Sequence, residues 1–568
     1  MNGLKFARPR RFPFALAPPR RFKHFITTPI FYVNGEPHIG HLYTSVLADA
    51  NFRWSRLKRG RDPYMPGAAI NESDEDIFVV GTDEHGMKVE RAAERAGKTP
   101  QEHCDFYSER FRELYHAFNI NYTKFIRTSD PAHTKAVQAF WERLKSRGHI
   151  YKGIYEGWYS IRDECFYADD EVEDVEEDGK RVMVSKETRA HVEWTKEENY
   201  MFDWTKFQDK IREWLLNNEV IAPSSNLPPL LQSLKHEQPL SLSRSSSRLK
   251  WGIRVPGDES QTIYVWFDAL VSYLTAGGFP DGDFKWPADV HFVGKDIRTF
   301  HALYWPAFLM AAGLPLPKSV YIHCHWLADG TKMSKSIGNV VNPFLVSNLL
   351  TADGLRYFML KQGTLHNDAN FTMTKAVHTV NADLVNNLAN LVTRATAPTM
   401  CPKQKYPSFD VEVMEHVLKG SGETLALSVN QLAARVSDHY DKQQFHRGLE
   451  AIAEVGNHAN AFFQLHAPWK LKEGPEKQTI LFIVCETARI ASLLLQPIVP
   501  DYARRMLARQ VLGLQQNEFA LETAKLGGGP NLKLYGRPFG ETPMIMKRID
   551  FKTEPPISYE SVKIRRSR

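Results

Sequence analysis

The stretch Phe25-Ile26-Thr27-Thr28-Pro29-Ile30-Phe31-Tyr32-Val33-Asn34-Gly35-Glu36-Pro37-His38-Ile39-Gly40-His41 governs the reading of the whole chain. Phe25 to Val33 is β-branched and aromatic, the composition of a strand. Asn34-Gly35 supplies a turn, and the apolar spacing from Leu42 to Trp54 predicts an amphipathic helix. Pro37 presets the backbone at the helix start, and Gly40 is expected to let the main chain approach a ligand that a Cβ would keep away. Backbone N–H groups and the helix dipole at such an edge favour an anion. His38 and His41, three positions apart on one face, add imidazole donors suited to oxygens that gain charge during a reaction.

Far along the chain, Lys332-Met333-Ser334-Lys335-Ser336 is entered through Asp329-Gly330-Thr331 and left through Gly338-Asn339. Two lysines and a hydroxyl on a glycine-flanked loop form a movable clamp for departing pyrophosphate. Taken singly, the first stretch is more often a packed helix start than an ATP site, and the second is usually a solvated loop. Their joint presence, in this order, points to cleavage of ATP.

With 568 residues and 43% hydrophobic composition, the chain is expected to build three or more domains with sizeable cores. No apolar run reaches the length of a membrane span, so none is expected. The net charge of +6 does not describe the body of the protein. Lys5, Arg8, Arg10, Arg11, Arg20, Arg21 and Lys23 precede the first acidic residue, Glu36, and without these seven the 72 basic residues fall to 65 against 66 acidic ones. An RNA-binding surface must therefore come from local patches. The acid-free, arginine-rich start, residues 1–25, resembles a mitochondrial transit segment, although it is rich in proline and lacks serine. Cys104, Cys165, Cys324, Cys401 and Cys485 are widely spaced and odd in number, neither a disulfide framework nor a metal knuckle.

From Phe25 to about Tyr155, strand-like runs alternate with helical ones, as at Phe78-Val79-Val80 before Lys88 to Gly97. The alternation resumes at Thr262 to Trp266 and Val290 to Val293, so the intervening stretch reads as an insert. Ten acidic residues between Asp163 and Asp178 read as a solvated hairpin tip, and Pro223 to Ser247 as a linker-like crossover. Val377, Val380, Leu384, Leu388 and Leu391 then recur at helical spacing. Helices are expected over Glu412 to Tyr440, Phe445 to Leu465 and Thr479 to Leu512, a helical bundle with no room after it for an appended RNA-binding barrel.

The two signatures, together with Gly81-Thr82-Asp83-Glu84-His85-Gly86, Tyr264-Val265-Trp266-Phe267-Asp268-Ala269-Leu270, Gly294-Lys295-Asp296-Ile297, Phe300-His301 and Ala467-Pro468-Trp469, resemble the methionyl-tRNA synthetases of the class I aminoacyl-tRNA synthetase family, closest to the mitochondrial, bacterial-derived form. The resemblance covers roughly residues 25 to 550. It implies an α/β Rossmann-like catalytic domain with a parallel sheet, split by an inserted connective domain and followed by an all-α anticodon-binding bundle. The corresponding division is a transit segment (1–25), catalytic halves (26–155 and 251–325) around the insert (156–250), a KMSKS and stem-contact region (326–375), the bundle (376–550) and a basic tail (551–568).

Trp266, Leu270 and Tyr273 share one face if helical, with Ile30 and Tyr32 able to close the opposite side, unless the stripe is ordinary core. The resemblance implies that these residues and His301 line a methionine pocket and that Asp83 holds the substrate ammonium, although Asp83 also reads as a helix cap. It further implies ATP and Mg²⁺ as cofactors. His38, His41, Lys332 and Lys335 then act on the phosphates, and Gly40, Gly294, Lys295 and Asp296, with Lys335, hold ATP. Arg244 matches an arginine near the tRNA acceptor end, in altered surroundings. Asn390, Arg394 and Trp469 match residues that read the CAU anticodon of tRNA(Met); alone they read as a solvated face and a capping hydrophobe.

Relatives often carry zinc knuckles in the insert, and with only Cys165 there no zinc is expected. The expected protein is a monomer in the mitochondrial matrix. The insert is too short for the editing domain of Leu-, Ile- or Val-specific enzymes. Some dozen extra polar residues, near Tyr64 to Asp76, are the one feature favouring a catalytically silent RNA-binding paralogue, and otherwise read as a solvent loop.

Overall fold

The structure is a computed structural model that describes residues 24–550 apart from 65–75, 161–164, 168, 178–179, 187, 236–237, 283, 329, 334–338, 365, 509–511, 529–531 and 541–544. Its centre is a parallel sheet of seven strands: β1 (Phe25–Thr27), β2 (Phe31–Tyr32), β3 (Ile77–Asp83), β4 (Lys124–Arg127), β5 (Ile221–Ala222), β6 (Val290–Gly294) and β7 (Val320–His323). The order runs β5, β7, β6, β1, β3, with β2 and β4 also paired to β3. Strand alternation splits the core in two. Ile26, Phe78 and Val80 face one layer, and Phe25, Ile77 and Val79 the other.

The expected strand from Phe25 to Val33 is broken at Pro29, which has no N–H for the ladder. Thr28 still donates to Val79 (2.9 Å), and pairing to β3 resumes at Phe31↔Thr82. The break leaves Pro29 and Ile30 free to line a cleft.

Helix α1 (Ile39–Lys58) is longer than expected and is not amphipathic: 16 of its 20 residues are buried. It is wedged between the sheet and the C-terminal helices, in one continuous core. Its buried polar groups are accordingly paired. Arg53 donates to Asp49 (2.8 Å), and Arg356 donates to Asp49 (2.6 Å) and to the carbonyls of Phe118, Pro497 and Ile498. Residues 65–75 of the extra polar segment lie outside the described residues. Its end is anchored, since the buried Asp76 carboxylate accepts from Arg56, Arg59 and Arg61.

Helices α2 (Met87–Arg95), α3 (Pro131–Ser146) and α4 (Val265–Ala276) pack around the sheet. Thr262 does not belong to a parallel strand: Asp258–Ile263 pairs antiparallel with Ser243–Ser245 and Arg254–Val255, and the chain turns helical at Val265. The insert is an antiparallel sheet led by Ile150–Ser160 against Glu193–Phe202. Pro223 to Ser247 is no bare linker. It holds the helix Leu227–Ser233 and two short strands, and just before it β5 already pairs with β7.

The C-terminal third is helical: α5 (Met373–Val380), a π-helical stretch Asn381–Ala389, α6 (Asn390–Thr396), α7 (Ser421–Asp441), α8 (Phe445–His466), α9 (Pro475–Leu495) and α10 (Pro500–Leu507). The stripe from Val377 to Leu391 is buried as expected. The two longer expectations are interrupted, at Gly420, where φ is 82°, and at Pro497 to Pro500, where proline cannot continue a helix. Helix α9 is apolar enough to cross a membrane, with mean hydropathy 1.6, but 94% of that window is buried in the bundle, marking a core helix.

Candidate active site

The carboxyl ends of β2, β3, β6 and β7 open into one cleft of ≈ 550 Å³. Ligands of open parallel sheets bind at such ends. The cleft brings together Ile30, Tyr32, His38, Gly40, His41, Asp83, Trp266, Leu270, Tyr273, Gly294, Asp296 and His301.

At one end stands the N-terminus of α1, with no acidic residue in its first turn. His38 is the N-cap: its Nδ1 accepts from the Gly40 N–H (3.0 Å), while His41 Nδ1 accepts from the His38 N–H (3.2 Å). The two rings stack with centroids 3.7 Å apart. Each Nδ1 faces a backbone donor, so the proton of a neutral ring sits on Nε2. Gly40 makes room for the capping ring. A Cβ there would lie 2.9 Å from His38 Cε1, closing the space the capping ring occupies. The second signature packs onto the first, with Ile39 N–H bonded to the Val341 carbonyl (3.1 Å) and Met333 Cε 3.9 Å from the position of that Cβ. Lys332 ends a short strand, Thr331–Lys332, opposite Leu327; its side chain and all of Lys335 lie outside the described residues.

The other end is apolar. Helix α4 presents Trp266, Leu270 and Tyr273, and Trp266 lies flat on Phe300 (4.0 Å, 14°). His301 donates from Nδ1 to the Ile297 carbonyl (3.0 Å), so its Nε2 accepts from the Tyr273 hydroxyl (2.7 Å). Burial pushes the His301 pKa down to about 4, keeping this wall neutral. Asp83 closes β3, in register with Tyr32, and is 3% exposed. It is not a helix cap, since Gly86 occupies that position for α2.

Between the ends, Gly294 closes β6, and a Cβ there would lie 2.6 Å from an Asp296 carboxylate oxygen. Enclosure is the largest single influence on Asp296 and works against its ionisation, but the His325 hydrogen bond (3.2 Å), the charge of that ring and a main-chain bond together outweigh it and hold the carboxyl at about 2. The Asp296 side chain is 60% exposed, so this pair adds little stability. Lys295 does not line the cleft. Its ammonium is held by both oxygens of Asp368 (2.8 Å each), which also accepts from the His325 N–H (2.9 Å).

Thr44, Lys88, His323, Cys324, His325 and Trp326 line the cleft without having been singled out in the sequence. His323 donates from Nδ1 to the Cys324 carbonyl (2.9 Å) and accepts at Nε2 from Thr44 (2.8 Å), and burial lowers its pKa to about 4. One signal was available: His323-Cys324-His325 follows a parallel strand as Gly294-Lys295-Asp296 does.

Arg244 stands outside the cleft, 5% exposed, with Nη1 donating to Ser241 Oγ and the Ser243 carbonyl (2.7 Å each) and its guanidinium between the rings of Tyr159 and Tyr264 (5.5 and 4.7 Å). Far from it, α6 exposes Asn390, and Arg394 donates to Asn460 Oδ1 (2.9 Å) with its guanidinium 5.2 Å from the Phe463 ring. Trp469 packs edgewise on the same Phe463 (5.7 Å) and remains 44% exposed. Among the described residues no group of three or more His, Cys, Asp or Glu side chains is placed to hold a metal, and the Cys165 side chain is not among them.

The family model for class I tRNA synthetases (M) matches residues 24–396. The human mitochondrial methionine–tRNA ligase is 44% identical over 516 residues, spanning 88% of this chain and 85% of that one. The probable mitochondrial enzyme of Dictyostelium discoideum is 41% identical, spanning 84% of each. Among solved structures, Mycobacterium tuberculosis methionyl-tRNA synthetase bound by methionyl-adenylate superposes with a TM-score of 0.81 at 35% identity, covering 92% of this chain and 99% of that one. Its apo form gives 0.76 at 32% identity, covering 94% and 98%. By its signatures, its cleft and these matches, the chain belongs to the class I aminoacyl-tRNA synthetases and, within them, to the mitochondrial methionine–tRNA ligases.

Proposed function

We propose that the cleft condenses L-methionine with ATP to methionyl-adenylate, releasing pyrophosphate, and then transfers the methionyl group to the terminal ribose hydroxyl of tRNA(Met), releasing AMP. One observation carries the reading: a single cavity has a neutral, aromatic, apolar end and an end formed by a helix N-terminus with two stacked imidazoles. The first suits an unbranched thioether, since sulfur packs favourably on aromatic edges. The second suits phosphate. Ile30, Tyr32, Trp266, Leu270, Tyr273 and His301 enclose the side chain, and Asp83 holds the ammonium. Gly294 and Asp296 receive the nucleoside, with Lys295 bracing that turn through Asp368.

The methionine carboxylate then attacks the α-phosphorus and pyrophosphate leaves. Catalysis of this kind is mainly positioning and charge stabilisation. His38 and His41 donate from Nε2 to phosphate oxygens, while Lys332 and Lys335 neutralise the departing group. Few protein ligands would be needed for a Mg²⁺ ion bound to the triphosphate, which would supply further charge neutralisation. Arg244, beside the cleft, is assigned to the acceptor end. Asn390, Arg394 and Trp469 are assigned to the CAU anticodon, supported by Arg394 and Trp469 meeting at Phe463 and by Asn390 lying exposed one helical turn before Arg394. The mitochondrial names of the relatives and the arginine-rich start support a matrix enzyme; we assign it as a monomer without zinc.

The test is ATP–pyrophosphate exchange by the purified protein. Exchange that depends on methionine is expected; exchange driven by isoleucine or leucine instead would overturn the specificity.

A further inference from the structure

We propose that Asp268, gripped by His85 and His133, is a positioning residue that sets the length of the methionine pocket and so its selectivity, an inference that rests on the cleft reading above. Asp268 takes no part in lining the cleft. It lies two residues after Trp266 and two before Leu270, about 200° around the helix from each, so it faces away from the substrate. It is 1% exposed, and its two oxygens accept from two imidazoles: Oδ2 from His85 Nδ1 and Oδ1 from His133 Nε2, each at 2.6 Å.

The origin of these imidazoles gives the arrangement its meaning. His85 comes two residues after Asp83, the group assigned to the substrate ammonium. Asp268 belongs to the helix that carries the wall for the thioether. The His85–Asp268 bond therefore ties the two ends of the bound amino acid together through the protein. His133, near the start of α3, holds the same carboxylate from the other side and is fixed to α4 a second time through Thr275 Oγ1 (2.8 Å), which in turn donates to the Val271 carbonyl (3.1 Å). Burial alone would push the Asp268 carboxyl up, yet the two imidazoles hold it below the usual carboxylate range, so it remains an acceptor on both oxygens.

A pocket that discriminates by volume separates one methylene by only about 10–200-fold. That discrimination lasts only while the distance between ammonium holder and wall is rigid. An ordinary core contact would also stabilise α4, but it would not need to join these two sites.

The test is Asp268→Asn, which keeps the shape but replaces one acceptor by a donor facing an imidazole N–H. In pyrophosphate exchange the methionine KM is expected to rise about tenfold or more, since displacements near 1 Å carry costs of this order. The ATP KM should stay within about twofold, and the preference for methionine over ethionine and homocysteine should narrow. His85→Ala should reproduce this, while His85→Asn, whose amide N–H can replace Nδ1–H, should restore selectivity. That pair keeps the test available if Asp268→Asn does not fold. Folded variants that lose only kcat, with methionine KM and selectivity intact, would overturn the proposal, as would His85→Asn failing alongside His85→Ala. Wild-type protein lacking methionine-dependent exchange would instead defeat the cleft reading itself.

Discussion

The cleft and the Trp469 cluster are built on opposite plans. In the cleft, His38, His41, His301 and His323 each have Nδ1 engaged by the main chain, as acceptor in the first two and donor in the last two. Every tautomer is thus set before a substrate arrives. The deeper pair engages Nε2 as well, with Tyr273 and Thr44. Outside the cleft, Trp469 packs against Phe463 in an edge-on arrangement and leaves much of its indole open. Charge stabilisation is strongest from groups that need no reorganisation. Base stacking instead needs a broad aromatic face and tolerates a looser frame.

This contrast is tested most severely at the clamp. Lys335→Ala is expected to lower methionyl-adenylate formation by about 10²–10³-fold, the range for removing one transition-state donor, with little change in methionine binding. Equal losses in both would place Lys335 in substrate binding and blur the distinction.

A second consequence follows from the locked imidazoles. The unfolded chain takes up protons at His301 and His323 from about pH 6.5 downward, whereas the folded cleft declines them until about pH 4. Stability is therefore full above pH 6.5 and falls as the pH drops towards 4, by about 3 kcal/mol for one such group. Urea unfolding measured between those limits should show this slope, and His301→Gln should flatten it. An unchanged slope would mean that His301 is not held neutral.

The smallest effect belongs to the open cluster. Trp469→Ala should weaken tRNA charging by about 1–3 kcal/mol, one lost stack, and leave tRNA-free pyrophosphate exchange nearly unchanged. Full charging by a folded variant would remove the stacking role, and a parallel fall in exchange would make the indole structural.

Much of this architecture is local and therefore written in residue order. The strand composition before Asn34-Gly35, the helical stripe from Val377 to Leu391 and the placing of Gly294 after a strand all emerge from side-chain period and turn chemistry, which act over a few residues. Twelve of the residues lining the cleft are named from the sequence, the strand–turn–helix edge marking His38, Gly40 and His41 and the family resemblance supplying the pocket residues. Partners distant along the chain were beyond it. Lys295 turns to Asp368, Arg356 reaches Asp49, and Asp268 meets His85 and His133 across separations of 183 and 135 residues. One constraint on Gly40, the capping ring of His38, is close in sequence yet invisible without the ring's rotamer. Periodicity says which face of an element is buried, but only the folded topology says what lies against it, and hydrogen-bond direction, tautomer and the spacing of the two ends of a pocket all depend on that neighbour.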